Sequence, residues 1–187
     1  MSKSNEAKKK QANVVLMLTG SIACYKSCEL ISRLVKEGHS VRCVATEAAL
    51  QFIGAATLEA LSGNPLQVGM FDAKMNIDHV SLNKWADLFL VCPATANTIN
   101  KLAAGLAEDL IGATFLANNF KKPFWIAPAM NEGMYLHPVT SRSIGLLREL
   151  GCFIFEVGEG RLACGDVGKG KLLEIDLIWE KMQEVLR

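Results

Sequence analysis

The chain has 187 residues, 50% hydrophobic and 21% charged, and 20 Lys and Arg against 19 Asp and Glu give a formal charge of +1. That length suits one compact domain, and half-apolar composition with 15 Gly and 5 Pro excludes disordered, fibrous and collagen-like chains. No apolar run approaches the roughly 20 residues that span a membrane, and the charge is uneven: without residues 1–11, 16 basic residues face 18 acidic ones. A body at −2 argues against a nucleic-acid groove.

Residues 1–11, with Lys3, Lys8, Lys9 and Lys10, read as a disordered basic tail that lacks the apolar stretch of a signal peptide. Residues 12–187 read as a single domain. Asn13 to Leu18 is a continuous apolar run ending at Thr19-Gly20, and from Ser21 to Lys36 apolar residues recur at helical spacing until Gly38. Ser40 to Ala45 is a second strand, followed by short helical patterns at Ala48 to Ile53 and Ala56 to Leu61 and a break at Gly63-Asn64-Pro65. Ala86 to Cys92 predicts a third strand and Thr95 to Ala104 a helix. Phe124 to Ala127 predicts a fourth strand, Val139 to Leu150 a helix, and Cys152 to Val157 a fifth strand. Gly158 to Gly170 reads as a glycine-rich loop, and Glu174 to Leu186 as an amphipathic closing helix.

Strands apolar on both faces, alternating with helices, predict a doubly wound α/β fold of the Rossmann or flavodoxin kind, its parallel sheet covered on both sides. Ligands in such sheets bind beyond the carboxyl ends of the strands. The candidate site loops are therefore Thr19 to Ile22, Thr46 to Ala48, Pro93 to Thr98 and Pro128 to Met134.

Six cysteines, at 24, 28, 43, 92, 152 and 164, form no C-x-x-C pair and no zinc spacing, so no metal site is expected and the thiols read as reduced and cytoplasmic. Five lie in apolar runs and read as packing. Cys164 stands apart among glycines and charges.

Thr19-Gly20-Ser21-Ile22-Ala23 joins the first strand to the first helix, where backbone N–H groups and the helix dipole favour an anion such as phosphate. An ordinary glycine turn with a serine cap reads equally well. No G-x-G-x-x-G follows, so a mononucleotide is expected over a dinucleotide. Gly165 to Lys171 nearly matches a P-loop but fails at Leu172, where magnesium needs a hydroxyl, and reads instead as a mobile flap carrying Cys164, Asp166, Lys169 and Lys171 over a pocket. Pro93 to Thr98 offers hydroxyl and amide groups at a strand end, or simply a capped helix start. In Pro128 to Tyr135, Asn131 suits a carboxylate or amide, and Met130 and Met134 either flank a flat ring or pack in the core. His39 and His137 read as solvent-facing turn residues. His79, just before the third strand, is the histidine placed for proton transfer, or a bystander.

Together these residues resemble the homo-oligomeric flavin-containing cysteine decarboxylases, most closely the branch acting on phosphopantothenoylcysteine in coenzyme A biosynthesis. The resemblance runs from Asn13 to the end. It rests on five ordered matches: Gly20 to Ala23, the His79 segment, Pro93 to Thr98, Pro128 to Tyr135, and Ala163-Cys164-Gly165-Asp166 with its trailing glycines. It implies FMN against Gly20, Ser21, Ile22, Thr46, Thr95, Ala96, Asn97, Thr98 and Met130. His79 is implied as the active-site base, Asn131 as the group binding the substrate carboxylate, and Cys164 as the proton donor on a closing clamp. Met134, Arg161, Leu162 and Ala163 are implied as substrate contacts. Tyr135 stands where many relatives have Trp, and Lys171 where many have Arg, both keeping the side-chain character.

The implied reaction converts (R)-4'-phospho-N-pantothenoylcysteine to 4'-phosphopantetheine. A cysteine carboxylate cannot lose CO2 directly for want of an electron sink; oxidising the thiol to a thioaldehyde supplies one, and a flavin takes that hydride and returns it. Relatives that decarboxylate peptidyl cysteine stop at the enethiol and lack the cysteine clamp, so the Cys164 motif favours the complete reaction. A non-catalytic FMN-binding module would need neither His79 nor Cys164, and a flavin prenyltransferase would need a basic site for an allylic phosphate. The resemblance further implies trimers, sometimes four of them in a dodecamer, with active sites shared between subunits. Phosphopantothenoylcysteine synthetase is the implied partner, fused or separate.

Overall fold

The computed structural model describes residues 11–69, 78–161 and 167–186. Five strands, β1 (Asn13–Leu18), β2 (Ser40–Ala45), β3 (Leu88–Ala94), β4 (Phe124–Pro128) and β5 (Phe153–Ile154), form a parallel sheet in the order β2-β1-β3-β4-β5. From β1 the chain first builds outward to β2 and then crosses to β3 on the other side. That reversal leaves a crevice beyond the carboxyl ends of β1 and β3, the ligand-binding position of flavodoxin-like sheets.

The side-chain alternation of β1 explains the two covered faces. Val14, Leu16 and Leu18 pack with Leu30, Ile31 and Leu34 of α1 (Cys24–Lys36) and with Ile178 and Met182 of the closing helix, Ile175–Leu186. Val15 and Met17 face the opposite layer, with Leu82 of α3 (Asp78–Trp85), Ile99 of α4 (Ala96–Ala103), Phe115 of α5 (Leu110–Asn118) and Leu147 of α7 (Pro138–Glu149). β1, from Val14 on, and all of β3 are buried residue by residue, which is why both read as unbroken apolar runs. Between β2 and α3 lies α2 (Ala55–Ser62), and between β4 and α7 the short α6 (Glu132–Leu136); the closing helix is α8.

Several elements depart from the sequence reading. β3 begins at Leu88 and runs on through Pro93 to Ala94, pairing Ala94 with Pro128. Helix α3 occupies a segment whose mixed polarity hid its period. Helix α5 is apolar nearly all round, so it presents no stripe, yet Asp109 caps it by accepting from Gly112 N–H at 2.9 Å. The expected strand 152–157 pairs only at Phe153–Ile154. The segment 158–170, read as a loop, contains an antiparallel hairpin of β6 (Gly158–Arg161) and β7 (Val167–Lys171). His137 is exposed as expected and caps α7, accepting from Val139 N–H through Nδ1; His39, expected at the surface, is half-buried and accepts from Ala12 N–H. The expected tail lies outside the described residues except for Gln11, whose amide donates to Ser40 Oγ.

Cys24, Cys43, Cys92 and Cys152 are buried and Cys28 is half-buried. Burial pushes the Cys43 and Cys92 thiols up to about 12 and that of Cys152 to about 11, so they are poor nucleophiles at neutral pH. Among the described residues, no helix is long and apolar enough to cross a membrane and no cluster of three or more metal-ligating side chains occurs.

Candidate functional site

The site is built on the turn after β1. Buried Thr19 ties it down: its Oγ1 donates to Pro93 O at 2.8 Å and accepts from Thr95 N–H at 2.9 Å, fastening the first loop to the loop after β3. Gly20 follows, packed so closely that an added Cβ would lie 2.8 Å from Ala48 Cβ. Ser21 N–H donates to Thr19 O, and Ser21 Oγ accepts from Ala23 N–H. The amides of Gly20 and Ile22 take part in none of these turn bonds. Helix α1 begins without a side-chain cap and without an acid in its first turn, and its first turn carries Lys26 instead. This N-terminus is arranged for an anion.

The opposite wall comes from the loop after β4 and from the hairpin. Asn131 caps α6, its Oδ1 accepting from Gly133 N–H at 2.8 Å. The hairpin docks directly onto this loop: Met130 N–H donates to Gly170 O at 2.9 Å, and Lys169 N–H donates to Glu132 Oε1 at 2.8 Å. At Gly170 only glycine permits the approach, because φ is +122° and a Cβ would meet Met130 O at 2.4 Å; at Gly168 a Cβ would meet the Glu132 carboxyl at 2.6 Å, a flexible end that would have to shift. Gly170→Ala is therefore expected to undock the hairpin, at a local cost of about 3 kcal/mol. Limited proteolysis checks this: cleavage within 158–171 rises at least about tenfold, whereas wild-type protection would show that the strand relaxes around the methyl group.

Between these walls lies a cavity of about 650 Å³. It brings together seven of the expected site residues: Gly20, Ser21, Ile22, Thr95, Met130, Asn131 and Met134. Thr46, Ala96, Asn97 and Thr98 stand nearby without lining it. Thr46 Oγ1 accepts from Ala49 N–H, Thr98 N–H donates to Thr95 Oγ1, Ala96 is buried and Asn97 is exposed. His79 lies on α3, over the Val15 and Met17 face, and does not line the cavity. The backbone of Arg161 ends β6; Leu162, Ala163 and Cys164 lie outside the described residues.

Lys171, expected on a flap over a pocket, lines the cavity, and so do Tyr25, Lys26 and Leu172, which were not expected to. Lys26 could have been found, being one helical turn beyond Ile22. Leu172 could not, because only the docking of β7 brings it there. Both lysines meet one carboxylate: Glu174 Oε1 accepts from Lys171 Nζ at 2.7 Å and Oε2 from Lys26 Nζ at 3.1 Å. Hydrogen bonds from Lys171 and Lys26 hold the Glu174 carboxyl below its ordinary range, and the same contact raises Lys171.

Comparison with known proteins agrees with this geometry. The Flavoprotein family model matches residues 2–187. A coenzyme A biosynthesis bifunctional protein CoaBC of Bacillus subtilis is 46% identical over 164 residues, covering 87% of this chain and 40% of that protein. A probable phosphopantothenoylcysteine decarboxylase of Streptococcus mutans is 42% identical over 175 residues, covering 92% of this chain and 98% of that one. The chain thus spans about two fifths of the length of the bifunctional relatives and nearly all of the shorter one. Among solved structures, a cysteine-to-serine mutant of PPC decarboxylase complexed with pantothenoylaminoethenethiol superposes with a TM-score of 0.82 at 30% identity, covering 94% of this chain and 98% of that one. The FMN binding protein AtHal3 superposes with a TM-score of 0.79, also at 30% identity, covering 94% and 96%. With a family model matched along almost its whole length and the cavity where flavodoxin-like sheets bind their ligands, this chain belongs to the Flavoprotein family, and its cofactor is a flavin.

Proposed function

We propose that the chain binds FMN and, in the cytoplasm, decarboxylates (R)-4'-phospho-N-pantothenoylcysteine to 4'-phosphopantetheine for coenzyme A biosynthesis. The observation that carries this reading is the single cavity wall that joins Asn131 to the docked hairpin, opposite the anion-binding turn. The residues suit FMN. The Gly20 to Ile22 turn offers backbone donors to a phosphate, and Ile22, Met130 and Met134 offer apolar surface to a flat ring. The volume is also within the 300–1,000 Å³ typical of cofactor sites. Bound flavin supplies a reversible hydride acceptor, so the substrate thiol becomes a thioaldehyde, CO2 leaves, and the hydride is returned.

The chain's own residues have separate tasks in this reading. Because Gly133 N–H occupies Asn131 Oδ1, the amide nitrogen is its donor end, suited to the substrate carboxylate and to the enethiolate that replaces it. Met134 bounds the substrate on the same helix, with Arg161, Leu162 and Ala163 contributing from the hairpin. Cys164, between β6 and β7, protonates carbon at the end. His79 takes the proton when the thiol is oxidised. Its placement on α3, away from its own chain's cavity, supports its serving the cavity of a neighbouring copy in a trimer or a dodecamer of four trimers. The bifunctional relatives support phosphopantothenoylcysteine synthetase as a partner.

Cys164→Ser tests the final step. The variant is expected to keep flavin and, in air, where dissolved oxygen reoxidises the reduced flavin, to release CO2 while accumulating the enethiol, lighter than 4'-phosphopantetheine by two hydrogens in mass spectrometry. An unchanged yield of 4'-phosphopantetheine would overturn the assignment of Cys164.

A further inference from the structure

Lys26 and Lys171 are the charged residues in the described lining of a cavity whose other walls are largely apolar. They come from different elements, α1 and β7, and converge on one carboxylate, Glu174, just before α8. The three side chains differ in exposure: Lys26 is 16% exposed, Lys171 37% and Glu174 58%. The two ammonium groups are therefore held at the cavity, while the carboxylate that joins them faces solvent. Two cations against one anion leave a local surplus of one positive charge. An exposed ion pair contributes only about 0–1 kcal/mol, so Glu174 can swing into water at little cost.

Resting on the reaction proposed above, we infer that Lys26 and Lys171 form the seat for the phosphate monoester of the substrate, with Glu174 as a carboxylate stand-in that the phosphate displaces. A dianion placed there meets two ammonium groups and neutralises both, which a single carboxylate does not. The substrate's two anionic ends then go to different walls: the carboxylate to Asn131 and the phosphate to the lysines. The cofactor's phosphate has its own donors in the backbone of the Gly20 to Ile22 turn. The shared chemistry is a phosphate monoester, and experiment separates the two sources.

The flavin-loaded protein is assayed with 4'-phosphopantothenoylcysteine and with unphosphorylated pantothenoylcysteine, and the ratio of kcat/KM between them is compared across variants. Lys171→Met lowers that ratio about tenfold, mainly through KM of the phosphorylated substrate, with flavin absorbance per polypeptide unchanged. Lys26→Met lowers it further, Lys171→Arg keeps it within about twofold, and Glu174→Gln, which removes the competing carboxylate, raises it about threefold. Calorimetric titration with 4'-phosphopantetheine and with pantetheine makes the same comparison without turnover. A ratio unmoved by Lys171→Met overturns the seat, and so does loss of flavin in the lysine variants, which would assign the lysines to the cofactor's phosphate. A wild-type protein that turns over neither substrate contradicts the proposed reaction instead, and the titrations then decide the seat alone.

Discussion

Gly20→Asp is expected to give a folded, colourless protein. The new Cβ would sit 2.8 Å from Ala48 Cβ and 3.4 Å from that residue's backbone carbonyl, so its nearest neighbour has no flexible end to move aside. Its carboxylate would stand where the uncapped start of α1 favours an outside anion. Together these effects cost about 3 kcal/mol of flavin binding, more than a hundredfold in Kd. Flavin absorbance per polypeptide after gel filtration, read beside the melting temperature, checks this. Gly20→Ala, with the crowding but not the charge, should retain an intermediate amount. If Gly20→Asp stays yellow at wild-type stoichiometry, the phosphate does not sit on this turn.

His79→Asn should do the reverse, keeping flavin and losing CO2 release by at least about a hundredfold, because an amide cannot exchange a proton near neutral pH. The substitution is structurally mild. His79 is half-buried, and it is its backbone carbonyl that accepts from Asn83 Nδ2. Its position also makes a sharper test. If His79 serves a neighbour's cavity, coexpressing His79→Asn with Gly20→Asp restores sites that take flavin from one variant and His79 from the other. Random mixing of equal amounts restores about a quarter of wild-type activity. No recovery would place His79 and the flavin in the same chain, and full activity of His79→Asn alone would make His79 structural.

What could be read in advance followed from how locally each feature is specified. β1, β3 and β4 are buried on both faces and β2 is mostly buried, and Thr19-Gly20, Thr46, Pro93 and Pro128 stand within a residue of their ends, so apolar runs and their stops located them closely. Helix α5 escaped because residues such as Ile111, Phe115 and Leu116 surround its axis, which removes the helical period. The hairpin escaped because Gly158, Gly160, Gly168 and Gly170 look like loop residues, although Gly170 is what lets β7 lie against Met130. The turn at Gly20 and the loop carrying Asn131 were legible as strand-end motifs. The lysine pair was not, since Lys26 and Lys171 lie far apart in sequence and meet only through Glu174.

The most direct test of the account is anaerobic incubation of the flavin-loaded protein with 4'-phosphopantothenoylcysteine, measuring CO2 and 4'-phosphopantetheine together. Many turnovers are expected, with the two products in equal amounts and no external oxidant consumed, because the hydride taken from the thiol is returned. A single turnover that leaves reduced flavin and enethiol would contradict the redox-neutral reaction, and no CO2 at all would contradict the decarboxylase reading itself.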